Sequence, residues 1–236
     1  MQIINKKNIL DTVDFHAHIL PGADHGCNSL ANGIEQLNLA HRYGVTRIVS
    51  TPHFYPQSFS VDDFIYRREK AFSSLINSTQ ESCLPKVVAG AEVLMCENIE
   101  YMPDIEKLCL GRSNILLLEL PQETYSFDPV RSVKALIRKG FDIVLAHADR
   151  YDRRRIDEIV ECGATIQLNA PALSSFIVRK HVFEWLESGR VSCIGSDIHG
   201  TSVSHYRKFC VASKRISRTN IDVIEKSNNM WERVSD

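Results

Sequence analysis

Short β-rich apolar runs alternate with longer amphipathic stretches along this chain, seven times over. The apolar runs are ILDTVDFHAH, TRIVSTPH, KVVAGAEV, NILLLEL, FDIVLAHAD, ATIQLNA and VSCIGSD. Most are continuously apolar, as strands buried on both faces of a parallel sheet must be. The stretches between them carry helix boundary signals. Ser29 caps a helix that turns Leu30, Ile34, Leu37 and Ala40 inward and stops at Gly44. Asp128 and Pro129 read as N-cap and first helical position, ahead of Val130, Val133, Leu136 and Ile137. Asp152 opens another helix, with Ile156, Ile159 and Val160 inward. A further one carries Phe176, Val182, Phe183 and Leu186. Residues 63–77 and 98–110 also read as helical, and the tail from about Asn220 as a closing helix. Repeated strand–helix alternation gives a parallel α/β fold through right-handed crossovers. No G-x-G-x-x-G follows the first strand, so an open dinucleotide-binding sheet is disfavoured. The expectation is one domain over residues 1–236: an α/β distorted TIM-like (β/α)7 barrel, whose strands aim polar groups at one mouth from their C-terminal ends.

The strand ends supply such groups. In order they offer His16 and His18, His53, Glu92, Glu119, His147, Asn169, and Asp197 with His199. Alternation along the first strand places Asp14, His16 and His18 on one face. A single histidine is more often a satisfied core residue than a ligand. So many imidazoles and carboxylates at matching ends of apolar strands reverse that balance, because burying them unpaired is costly and a metal removes the cost. Nitrogen and oxygen donors suit zinc, manganese or iron. The donors are too many for one ion. Two or three divalent ions, bridged roughly 3.5–4 Å apart, are a recurrent device for phosphoester hydrolysis, activating water as hydroxide and neutralising phosphate charge.

Other features narrow the field. With net charge −1, the chain lacks a nucleic-acid or membrane-surface signature. The seven cysteines are scattered, without a C-x-x-C pair, and suit a reducing cytoplasm better than a disulfide framework. The first eleven residues lack a signal-peptide core, and no apolar run approaches a membrane span. These features together imply a soluble cytoplasmic protein. No cysteine is followed six positions later by arginine, which excludes a Cys-x5-Arg phosphatase, and no G-x-S-x-G elbow is present.

The segments DFHAHILPGADHG, GVTRIVSTPH, GAEV, ILLLELP, VLAHADR and GSDIHG, in this order over almost the whole chain, resemble the polymerase-and-histidinol-phosphatase (PHP) superfamily. Within it they are most similar to the bacterial CpsB/CapC-type tyrosine phosphatases of capsule and exopolysaccharide systems. The resemblance implies a PHP-type barrel with a trinuclear site, manganese first and iron or zinc as alternatives. By motif, His16, His18, Glu92 and Asp197 match one metal's ligands. Glu92, Glu119 and His147 match a second, with Glu92 bridging. His53 and His199 match a third, completed in the family by an aspartate directly before a glycine. Here that aspartate is His25, with Asp24 beside it as the alternative ligand. Arg150 matches the family's phosphate-holding arginine. A second family arginine has Ser204 at its register, and Arg207 three residues later is the candidate replacement.

The implied function is hydrolysis of phosphotyrosine in a protein. The implied partner is the tyrosine-rich tail of a membrane-associated autokinase that controls polysaccharide export. A histidinol-phosphatase-like activity on a small molecule is the alternative within enzymes. An amidohydrolase is more distant, since no strand end offers the bridging lysine. A weakened barrel that only binds partners is the non-enzymatic alternative. Asp14 could orient a ligand histidine, or only cap backbone. Phe54, Tyr55, Phe59, Tyr125 and Phe127 could line a pocket or pack loops. Arg153 to Arg155 read as a solvated face or an anion-attracting rim. His41, His181 and His205 read as non-ligands.

Overall fold

The computed structural model describes residues 12–80, 83–122, 126–219 and 221–235. The leader reading of residues 1–11, the start of the first apolar run, Tyr125 and Asn220 lie outside the described residues. The strands are β1 (Thr12–His18), β2 (Val45–Ser50), β3 (His53–Phe54), β4 (Lys86–Ala89), β5 (Glu92–Leu94), β6 (Ile115–Glu119), β7 (Asp142–Leu145), β8 (Thr165–Asn169), β9 (Val191–Gly195) and β10 (Ile198–His199). Every pairing is parallel. One sheet has the order β10-β1-β2-β4, the other β3-β5-β6-β7-β8-β9. Three of the expected runs are therefore each broken in two, as β2 with β3, β4 with β5, and β9 with β10. Each broken run gives one strand to each sheet.

The helices are α1 (Leu30–Arg42), α2 (Val61–Asn77), α3 (Pro129–Arg138), α4 (Arg153–Val160), α5 (Ala170–Ser174), α6 (Lys180–Glu187), α7 (Val203–Thr219) and α8 (Ile221–Ser235). The expected caps form. Ser29 accepts from the Asn32 N–H, Asp128 from Val130 and Arg131, and Asp152 from Arg154. Two helical expectations are corrected. Residues 98–110 form two short 3₁₀ turns, Ile99–Tyr101 and Ile105–Leu108, separated by Met102 and Pro103. Proline's missing N–H and its steric demand on the residue before it block a continuous helix. Phe176 precedes α6 and is 98 % exposed, and Phe183 is also exposed, so neither faces the core.

The first strand departs from simple alternation. Between its pairings with β2, β1 advances from Asp14 to Ala17 while β2 advances only from Ile48 to Ser50. That extra residue is a bulge, which resets the faces. Val13 and Phe15 belong to a small apolar cluster with Val49, Ile115, Leu117, Val144 and Cys193. Ala17 and Ile19 instead join the larger helix-facing core. His16 and His18 thus rise above Phe15 on the inner face. Asp14 does not share that orientation: its Oδ1 accepts from the backbone N–H of His16 and Ser196. From the far end of the strands, Met230, Trp231 and Val234 of α8 pack into the same inner cluster. No helix of the described residues is long and apolar enough to cross a membrane.

Candidate metal centre

His16 and His18 are fully buried at the end of β1, and their Nε2 atoms face each other 3.1 Å apart. Glu92 Oε2, from β5, lies 3.1 Å from the first and 3.3 Å from the second. Asp197 Oδ1, after β9, lies 3.6 and 3.4 Å from them. The opposite nitrogens of both rings are committed. His18 Nδ1 is 2.6 Å from Asp24 Oδ2, and His16 Nδ1 is 3.1 Å from Gln167 Oε1. Gln167 cannot be turned round, because its Oε1 also accepts from the His147 backbone N–H at 2.7 Å and its Nε2 donates to Asn169 Oδ1. Asn169 Nδ2 then donates to Asp197 Oδ2. With Nδ1 as donor in each neutral ring, two Nε2 lone pairs and a carboxylate oxygen converge on one point. Only a cation relieves that convergence: a proton on one ring, or a metal ion shared by all.

The same cluster extends outward. His147 Nε2 stands 2.8 Å from Glu92 Oε1 and 3.5 Å from Glu119 Oε1. His53 Nδ1 is 2.8 Å from Glu92 Oε2 and 3.8 Å from Glu119 Oε2, and its Nε2 is 3.4 Å from His199 Nε2. His53 Nδ1 and Glu92 Oε2 face each other without hydrogen-bond geometry, and neither buried atom has another hydrogen-bond partner among the described residues. Three sets of donor atoms lie close enough to hold an ion: His16, His18 and Asp197; His18, His53 and His199; His53, Glu92 and Glu119. The donor set is imidazole nitrogen and carboxylate oxygen without thiolate, which fits a divalent manganese, iron or zinc ion.

Electrostatics match this arrangement. For Glu92, burial pushes the carboxyl up, but the surrounding imidazoles outweigh it and hold the group well below its ordinary range. Burial likewise opposes the charge of Asp197, yet His16, His18 and Arg150 keep it ionised. Burial lowers the imidazole of His147, but hydrogen bonds to Glu119 and Glu92 outweigh it, leaving the group raised to about 9. His18 is raised well above its usual value by Asp197, Asp24 and Glu92 despite its burial. Protons on the His18 and His147 imidazoles thus offset part of the carboxylate charge, and a divalent cation bound among these groups would displace them.

Backbone geometry supports the site. His147 and Asp197 both adopt positive φ, 32° and 50°. Non-glycine residues in that region cost roughly 1–3 kcal/mol and concentrate at functional sites. Two glycines allow the ligand strands to crowd. A Cβ on Gly26 would fall 2.2 Å from His18 Cβ, and one on Gly195 would fall 2.4 Å from His16 Cβ.

The remaining sequence candidates divide. Asp24 is occupied elsewhere: Oδ2 receives His18 Nδ1 and the His53 N–H, and Oδ1 receives the Gly26 N–H. His25 is exposed and lies outside the three donor sets, its ring stacked at 5.0 Å on His53 and 4.8 Å from His199. Arg150 joins the cluster through a short bond from Nη2 to Asp197 Oδ2, with its side chain 45 % exposed towards solvent. Arg207 does not join it. It lies on the exposed face of α7, lining a hollow with Ser174, Ser175 and Lys208. Tyr55 stacks on His53 at 5.2 Å, whereas Phe54 is buried against Phe64. Phe127 packs on the core. Arg153 pairs with Asp157 and Glu184, and Arg154 with Glu158, as expected of a solvated face. His181 packs on Trp185, and neither it, His41 nor His205 enters a donor set. All seven cysteines are free. Sequence reading missed Gln167; a polar residue inside the apolar run ATIQLNA is the signal that could have found it.

The profile of the family described as capsular polysaccharide synthesis, CpsB/CapC, matches residues 12–222. Tyrosine-protein phosphatase CpsB of Streptococcus agalactiae is 26% identical over 216 residues, covering 81% of this chain and 84% of that protein. A chain from the crystal structures of YwqE from Bacillus subtilis and CpsB from Streptococcus pneumoniae, metal-dependent tyrosine phosphatases, superposes with a TM-score of 0.75. It is 20% identical and covers 95% of this chain and 94% of its own. A zinc-, histidinol- and phosphate-bound histidinol phosphate phosphatase of Lactococcus lactis gives a TM-score of 0.55 at 11% identity, over 87% of this chain and 94% of that one.

Proposed function

The chain belongs to the CpsB/CapC family of capsular polysaccharide synthesis proteins, and on that premise we propose that it is a metal-dependent protein-tyrosine phosphatase. One observation carries the reading. His16, His18, His53, Glu92, Glu119, His147, Asp197 and His199 arrive from different strands and present converging lone pairs that require cations. We assign His16, His18, Glu92 and Asp197 to one ion, and Glu92, Glu119 and His147 to a second. His53 and His199 go to a third, with His25 flanking it. Manganese is the ion we propose. Bound divalent ions lower the pKa of coordinated water and neutralise charge on phosphate oxygens.

The chain's own groups do the rest. Arg150, held on Asp197 with one side open, steadies the non-bridging phosphate oxygens. Tyr55, stacked on His53, offers an aromatic wall for the phenyl ring of the substrate. A phenolate is a moderately acidic leaving group, so no dedicated general acid is needed. Asp24 and Gln167 orient His18 and His16. We read the two sheets as one interrupted (β/α)7 ring formed by a single domain, which is supported by three runs contributing to both sheets and by the inner cluster shared between them. A cytoplasmic enzyme acting on the phosphorylated tail of a membrane-associated kinase completes the proposal.

Metal analysis combined with turnover of a phosphotyrosine peptide and of histidinol phosphate tests it. Manganese-dependent preference for the peptide is expected. His147→Ala, which removes a proposed ligand, should lose at least about 100-fold in rate, the upper end of what loss of a ligand-orienting partner costs, while keeping its circular dichroism spectrum. Dominant turnover of histidinol phosphate would overturn the substrate assignment.

A further inference from the structure

The whole chain is balanced in charge at net −1, but one face is not. Helix α7 carries Arg207, Lys208, Lys214, Arg215 and Arg218 and no Asp or Glu. Residues 170–179, which run through α5 to the start of α6, add Arg179 and again no acid, whereas Lys180 of α6 is paired with Glu184 at 3.6 Å. Tyr206, Phe209, Ala212 and Ile216 turn inward, so Arg207, Lys208, Val211, Lys214 and Arg218 line the outer side of α7 at helical spacing. Arg207, Lys208, Lys214 and Arg218 form no ion pair among the described residues. Arg215 Nη1 donates to Leu173 O and Ser175 O, both at 2.7 Å, and so ties α5 and its following loop against α7.

Between the two helices lies a hollow of about 500 Å³ with Arg207 and Lys208 in its wall. Phe176 and Ile177, directly after the hollow's Ser175, are 98 % and 80 % exposed. Short stretches of chain link the wall of the hollow to the candidate metal centre. Pro171 in its wall is two residues from Asn169, which bonds Asp197, and Ser204 is five residues from His199. Arg179 Nη2 donates to Asp149 O, next to Arg150, so the Phe176 loop is also fastened to the phosphate-holding turn.

We propose that the α5–α7 face docks an acidic polypeptide segment flanking the phosphorylated residue, with Phe176 and Ile177 taking an apolar neighbour in that segment. The proposal rests on the phosphatase reading above, and names what surrounds the reacting group. Unpaired cations along one helix face, two of them opening on a hollow, steer and hold an anionic chain in a salt-dependent way. An exposed aromatic side chain beside them supplies the apolar anchor that such interfaces favour. A hollow of about 500 Å³ with Arg207 and Lys208 in its wall fits a polypeptide segment of complementary charge rather than a flat bilayer.

The test uses the manganese-loaded full chain, Lys208→Glu/Lys214→Glu and, separately, Phe176→Ser. Four readouts apply: p-nitrophenyl phosphate turnover, kcat/KM on phosphotyrosine peptides with acidic or neutral flanks, fluorescence anisotropy of a labelled acidic peptide lacking phosphate, and binding to phosphatidylglycerol vesicles. The double reversal should leave p-nitrophenyl phosphate turnover unchanged. It should lower kcat/KM on the acidic peptide at least tenfold, through KM, and weaken the anisotropy signal in parallel. Phe176→Ser should weaken acidic-peptide binding severalfold with the small substrate unaffected. Equal kcat/KM on acidic and neutral peptides by the wild type overturns the proposal. So does a double reversal that leaves peptide binding intact while abolishing binding to phosphatidylglycerol vesicles, which makes the face a membrane surface instead. Absent p-nitrophenyl phosphate turnover would overturn the hydrolase reading alone, because peptide anisotropy is measured without catalysis.

Discussion

Gln167 sits in the middle of a buried strand and controls three candidate ligands at once. Its oxygen fixes the His16 tautomer and holds the backbone N–H of His147, whose φ is positive; its nitrogen, through Asn169, orients Asp197. Replacing it by methionine keeps the volume and removes every hydrogen bond. Partners of this kind typically affect metal affinity by about 10–100-fold. Gln167→Met should therefore raise the manganese dissociation constant by at least about tenfold in a calorimetric titration. Gln167→Glu, which keeps the oxygen towards His16 and His147, should lose less. Affinity in the methionine variant equal to the wild type would show that the ligands are held without this amide. Most of the candidate cluster was legible in the sequence because polar residues at the ends of apolar strands stand out. Asp24 and Gln167 were harder to place. A carboxylate that orients a ligand and one that is a ligand look alike until distances separate them, and Gln167 works through contacts 151 and 20 residues away.

Among the elements, α4 is anchored by its buried Ile156 and Ile159 and tied to its neighbours through one carboxylate. Asp157 accepts from Trp185 Nε1 of α6 at 2.8 Å, from Arg190 Nη1 before β9 at 2.6 Å, and from Arg153 Nε at 3.1 Å. Burial pushes the carboxyl up, but Trp185 and the two arginines outweigh it and hold the group below its ordinary value. A carboxyl lowered on folding contributes stability that is present above its unfolded pKa, near 4, and is lost as acid carries the pH through the lower folded value. Asp157→Asn should cost about 1 kcal/mol in urea unfolding at neutral pH. The gap from wild type should narrow as the pH falls to about 3, and a gap independent of pH would refute the assignment. Three helix starts were readable because their signals are local: Ser29, Asp128 and Asp152 cap where their side chains predict, whereas 98–110, interrupted at Pro103, was not. The strand breaks at 51–52, 90–91 and 196–197 and the bulge in β1 were not readable. They are set by pairing with strands distant in sequence, and register is fixed by tertiary contacts rather than by composition. Asp14 was misplaced on the ligand face for that reason.

On the scale of the whole molecule, the inner strand face divides into an ionic end and an apolar end. Val13 and Phe15 precede His16 and His18, Ile115 and Leu117 precede Glu119, and Val144 precedes His147. Trp231 and Met230 from α8 close the apolar end, and the Arg47 guanidinium, bonded to Asn228 of the same helix, lies 5.6 Å over the Trp231 ring. Closed α/β barrels, the arrangement proposed above, commonly keep stability at one end of the strands and chemistry at the other. Trp231 is only 5 % exposed, so Trp231→Ala removes a large buried ring and leaves a cavity. Such truncations cost about 3–5 kcal/mol. The urea midpoint should fall accordingly. If the two ends are separate, distant and independent sites should behave additively, and the manganese dissociation constant of the folded variant should stay within about twofold of wild type. A loss of metal affinity in step with the loss of stability would mean that the apolar end sets the ligand geometry, and that packing and chemistry in this molecule cannot be varied independently.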